Sequence, residues 1–90
     1  MSLHGRFELG RIVATPGALA TFGHDGCFSL LARHRSCDWG DLDGHDRRAN
    51  ERALRDSARL FSAYDTQAGR VWIITEADRS STCVLLPSEY

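Results

Sequence analysis

The sequence predicts an α+β fold: one small domain of order β-α-α-α-β-β-β, with an antiparallel sheet of about four strands and helices on one face. Three observations predict it. Residues 60–64, 71–76 and 81–86 are rich in β-branched and aromatic residues and are separated by polar, turn-forming stretches. Residues 16–57 instead place their apolar residues at helical spacing between capping and glycine signals. With 90 residues, the chain can bury one core and has no room for a second.

Residues 9–14 alternate and end on Ile12 and Val13, which predicts a short first strand. Thr15 followed by Pro16 is a cap with proline at the first helical position, and Gly23 is a stop, so a helix is expected over residues 16–22. After the turn at residues 24–26, Phe28 and Leu31 mark the buried side of a second helix over residues 27–35. Asp43 caps a polar third helix from about residue 44 to residue 57. The three C-terminal runs then form a meander. In the middle one, Trp72 and Ile74 face one way while Val71, Ile73 and Thr75 face the other. Residues 1–7 are expected to be a flexible N-terminal tail, and 1–90 a single domain.

Composition narrows the function. The net charge of −1 opposes a protein whose main affinity is for a polyanion. All 11 basic residues are arginine, which removes chemistry that needs a side-chain amine, such as Schiff-base formation. No run approaches the ~20 apolar residues of a membrane span, and His4, Arg6 and Glu8 interrupt the N-terminus, so a cytoplasmic protein with no membrane partner is expected. Cys27, Cys37 and Cys83 are odd in number and lack a C-x-x-C pair, in keeping with reduced thiols.

Several groups of residues have chemical potential. His24, Cys27, His34 and Cys37 are of zinc-ligand type, but six residues part the two pairs and a predicted helix lies between them. Asp41-Leu42-Asp43-Gly44 resembles part of a calcium loop. Its first and last ligand positions, however, would hold Trp39 and Asn50, and capping of the third helix is the simpler account. No cofactor or metal is therefore expected. Arg48, Arg52, Arg55 and Arg59 follow one another at steps of four, three and four and line one helix face, able to contact phosphates or an acidic surface. Pairing of Glu51 with Arg55, and of Asp56 with Arg52 or Arg59, would leave an ordinary solvated face instead. Trp39, Asp41, Glu76, Asp78, Arg79 and Tyr90 combine large amphipathic groups with polar turns and are the expected partner-binding residues. No catalytic motif is present; an enzyme would have to be assembled from His34 with Asp38 and Asp41.

The segments Arg33-His34 through Asp38-Trp39-Gly40-Asp41-Leu42, and Phe61-Ser62-Ala63-Tyr64 through Trp72-Ile73-Ile74-Thr75-Glu76 to Leu85-Leu86-Pro87-Ser88-Glu89-Tyr90, carry a resemblance. With Gly10-Arg11-Ile12-Val13-Ala14-Thr15-Pro16, they resemble a family of small bacterial proteins of plasmids and genomic islands. Many of these bear the automatic label of a type I restriction-modification methylation subunit. That label requires a much larger methyltransferase domain with an Asn-Pro-Pro-aromatic motif, whereas the two prolines here, Pro16 and Pro87, lie far apart. The resemblance implies kinship and a setting among mobile-element or defence genes. The expected function is a non-enzymatic accessory protein that binds another protein. A nucleic-acid or nucleotide binder using the arginine face is the first alternative, and a small enzyme is the second. A free sheet edge would also let two copies pair as a homodimer.

Overall fold

The C-terminal meander forms where the alternating runs predict it. In the computed structural model, which describes residues 6–90, β2 (Leu60–Thr66), β3 (Gly69–Thr75) and β4 (Ser81–Leu85) pair antiparallel in sequence order. They follow β1 (Arg11–Ala14), α1 (Pro16–Arg35) and α2 (Gly44–Asp56), and a 3-10 turn over Pro87–Glu89 closes the chain. Among the described residues, no helix is long and apolar enough to cross a membrane.

The sheet has the order β1-β4-β3-β2, and β1 runs parallel to β4. The expected all-antiparallel sheet is thus a mixed one. The direction of β1 follows from what comes after it. The Thr15 amide donates to the Val84 carbonyl (3.0 Å), so α1 starts at the same end of the sheet at which β4 finishes. There the Glu89 carboxylate accepts from the Thr15 hydroxyl (2.5 Å), the Gly17 amide (3.0 Å) and the Leu86 amide (2.9 Å). The 3-10 turn thereby caps the first turn of α1, whose unpaired amides and positive dipole end favour a carboxylate.

Two helices replace the expected three. The predicted stop at Gly23 is real, with φ 69° and ψ 176°, but the helix resumes at once, so residues 16–22 and 27–35 belong to one kinked element. That backbone conformation is essentially restricted to glycine. The kink lets Ala18 before it and Cys27, Leu30, Leu31 and His34 after it all pack inward. They cover the face of the sheet that carries Val71, Ile73, Tyr64 and Val84, the parity expected for β3.

Two residues of the expected N-terminal tail, Arg6 and Phe7, are described and make contacts with the domain. The Arg6 amide bonds the Arg35 carbonyl (3.1 Å), and the Phe7 ring packs on His34 and Trp39. The rest of the expected tail, residues 1–5, lies outside the described residues.

One margin of the sheet is closed. The side-chain amide of Asn50 in α2 donates to the Phe61 carbonyl (2.7 Å) and accepts from the Phe61 amide (3.0 Å). Farther along β2, the Ala63 amide donates to the Trp39 carbonyl, the Asp41 amide donates to the Ala63 carbonyl, and the Asp41 carboxylate takes the Asp65 amide. This contact requires Gly40: it sits at φ 77°, where a Cβ would fall on the Ala63 carbonyl oxygen. Replacing Asn50 with Leu leaves both polar groups of Phe61 unpaired and should lower stability by about 2–4 kcal/mol, measured by urea unfolding.

Candidate functional site

The opposite margin of the sheet is open. Along β1 the Arg11 and Thr15 amides donate to the Ser80 and Val84 carbonyls, so by strand alternation the amides and carbonyls of Ile12 and Ala14 point away from β4. Among the described residues nothing bonds them. Ile12 (45% exposed) and Val13 (38%) stand on this strand, and Phe28 (60%) projects from α1 beside Ile12.

A groove of about 300 Å³ between β1 and α1 is lined by Ile12, Ala14, Leu19, His24, Cys27, Phe28, Leu31 and Val84. A second, of about 260 Å³, shares Ile12, Phe28 and Leu31 and continues through Leu9 and Ala32 to Arg35. Together they make an apolar trough beside the open edge. At its end, the Arg35 Nε is buried and has no partner among the described residues.

His34 is fully enclosed, and both its ring nitrogens are engaged. Nδ1 lies 2.5 Å from the Ser62 Oγ and Nε2 lies 2.9 Å from the Thr75 Oγ1, which in turn lies 2.7 Å from the Thr82 Oγ1. The direction of the chain follows from its end. Thr82 gives its proton to the Leu9 carbonyl (2.7 Å), so it accepts from Thr75. Thr75 must then accept from Nε2–H, and Nδ1 accepts from Ser62. Burial pushes the imidazole pKa down to about 4, consistent with this neutral tautomer. Ser62 and His34 are placed like a nucleophile and its base, but both are fully buried and neither lines any of the grooves described here.

The residues expected to form an enzyme site do not converge. Asp38 is exposed and bonded to the Arg33 Nε (2.6 Å), which holds its carboxyl below the usual range, and Asp41 is committed to the edge of β2. The zinc-type set does not assemble either: His34 has no free nitrogen, and the buried Cys27 thiol points to the Ala18 carbonyl (3.9 Å). Among the described residues, the one group of metal-ligating type is Asp43, His45 and Asp46, exposed at the start of α2, where Asp43 caps the Asp46 amide.

Of the expected partner-binding residues, Trp39 is buried and gives its indole N–H to Glu51 (3.1 Å). Arg79 turns inward, donating to the carbonyls of Ala53, Ala58, Glu76 and Ala77, and so clasps the β3–β4 turn to the end of α2. Asp78 accepts from the Ser80 amide and Glu76 pairs with Arg59. Tyr90 is exposed, on the other face of the sheet, edge-on to Trp72, which also meets Phe61.

The arginine stripe is shorter than its spacing implies. α2 ends at Asp56, and Ser57 turns left-handed (φ 55°), so Arg59 leaves the helix face and pairs with Glu76. Arg48, Arg52 and Arg55 remain exposed along α2 and make no ion pair among the described residues. Glu51, the expected partner of Arg55, is engaged by Trp39 and Arg6.

The sequence predicts a free sheet edge without assigning it to a strand, because the place of β1 depends on pairing with the distant β4; Phe28, expected on the buried side of its helix, is exposed. Compared with models of protein families, with curated proteins and with solved structures, the chain matches none of them.

The depressed His34 pKa has a consequence for stability. An unfolded imidazole is also neutral above about pH 6.5, where the contribution of the buried neutral ring is fully present; it is lost as pH falls toward about 4. The loss should reach about 3 kcal/mol. His34→Gln should flatten the urea-midpoint profile between those pH values while lowering stability at pH 7.5.

Proposed function

We propose that this chain is a cytoplasmic, non-enzymatic protein-binding module, and that its partner adds a strand to the outer edge of β1. One observation carries the reading: among the described residues β1 leaves its outward backbone groups unpaired, beside the exposed side chains of Ile12 and Phe28. Free strand edges invite pairing and are normally blunted by charge, proline or a covering segment. Here a covering segment closes the opposite margin, and among the described residues none covers β1. Exposed aliphatic and aromatic side chains beside such an edge supply the apolar contacts that main-chain pairing alone lacks. The resemblance to plasmid- and island-borne proteins supports a setting among mobile-element or defence genes.

Ile12→Lys and Phe28→Glu should each weaken capture of the physiological partner by about a hundredfold, with melting temperatures close to the parent's. The assay is quantitative pull-down with tagged parent and variant proteins. Partners captured equally by all three would refute the reading.

Exposure of Arg48, Arg52 and Arg55 without carboxylate partners favours a second reading, contact with phosphates. Three such contacts predict a slope of about −2 to −3 for log affinity against log salt, reduced by about one for each arginine replaced with Gln. Titration of single- and double-stranded DNA at low salt measures it, and absence of binding there removes this reading.

A further inference from the structure

We infer that the segment received by β1 is an extended stretch of another protein, apolar at alternate positions and bearing a carboxylate that meets Arg35. This rests on the strand-addition reading and specifies its ligand. The edge selects the backbone: Ile12 and Ala14, two residues apart, offer two amides and two carbonyls in line, the pattern a neighbouring extended chain completes. The trough selects the side chains. A strand placed beside β1 directs every second side chain toward α1, into a surface made by Leu19, Phe28 and Leu31.

Arg35 selects the charge. It lies at the end of the trough beside Leu9 and Ile12, and its Nε is shielded from water with no acceptor among the described residues. Buried guanidinium N–H groups are ordinarily hydrogen-bonded. The lining side chains are apolar except for His24 and Arg35, and none is a carboxylate, so the trough itself supplies no counter-charge. Arg35 makes no ion pair among the described residues, and a carboxylate on the incoming strand that pairs with the outer part of its guanidinium supplies the missing counter-charge. A second copy of this chain fits less well. Antiparallel pairing of two β1 edges about Val13 sets Arg11 opposite Thr15 and brings no acidic residue within the strand, which reads Arg11-Ile12-Val13-Ala14.

The test uses the whole protein and short blocked peptides of alternating valine and threonine, ending at either terminus in Glu, Gln or Lys, read by fluorescence anisotropy. A Glu peptide should bind about tenfold more tightly than its Lys counterpart and measurably more tightly than the Gln one. Arg35→Gln should erase that preference while retaining affinity for the Gln peptide. N-methylation of the alternate peptide amides that face β1 should abolish binding without altering the protein. Binding that is sensitive to N-methylation but indifferent to the terminal residue would overturn the role of Arg35 and leave strand addition standing. Absence of binding by every peptide would overturn both. Sedimentation showing a dimer whose Ile12 and Ala14 amides resist exchange, with no peptide displacing it, would assign the edge to a second copy and overturn this inference.

Discussion

The enclosed imidazole of His34 is the point on which the rest of the packing depends. It comes from α1, bonds Ser62 on β2 and Thr75 on β3, and through Thr82 on β4 reaches the Leu9 carbonyl ahead of β1. One polar chain thus ties the helix to three strands and to the entry of the fourth. Its single consistent proton arrangement makes it all-or-none: a hydroxyl displaced from it would remain buried and unpaired, at a cost larger than the bond itself. Phe7 and Trp39 meet the ring edge-on and complete its enclosure. The same enclosure keeps the serine beside the histidine away from the surface, with both side chains fully buried.

That network fixes which margin of the sheet can be sealed. Trp39 is held against His34, and its indole N–H is held by Glu51 on α2. The segment that follows, through Gly40 and Asp41, is therefore laid along β2, and α2 brings Asn50 to Phe61. Among the described residues nothing comparable covers the outer edge of β1. Of the helices, α1 lies near it, and the kink at Gly23 directs the second half of that helix inward while leaving Phe28 outside. The asymmetry between margins follows from the topology, because loop and second helix are both committed to one side.

Much of this architecture was legible in the sequence. The meander, the face assignments of Val71, Ile73, Thr75, Trp72 and Ile74, the cap at Thr15 and the cap at Asp43 all followed from period-two alternation and capping chemistry. What escaped depends on distant residues. The parallel pairing of β1 depends on Glu89, some seventy residues on, capping the first turn of α1. The polar network leaves a trace in the sequence: Ser62, Thr75 and Thr82 occupy inward positions beside apolar Leu60, Val71, Ile73 and Val84. Three hydroxyls facing a core demand a shared partner, and His34, three residues beyond Leu31, lies on the same helix side.

Three of the expected partner-binding residues make structural contacts for a related reason. Trp39, Asp41 and Arg79 attract notice as large or charged groups in loops, yet a small domain with one covered sheet face has few helices to seal its margins and uses loop side chains instead. Arg79 spends its guanidinium donors on four carbonyls at the turn and at the end of α2, and Asp41 fills a gap in the ladder of β2. Polar loop residues are therefore the structural ones here. The exposed apolar residues beside the open edge lie on regular elements, Ile12 and Val13 on a strand and Phe28 on a helix, where periodicity alone assigns such residues to the core.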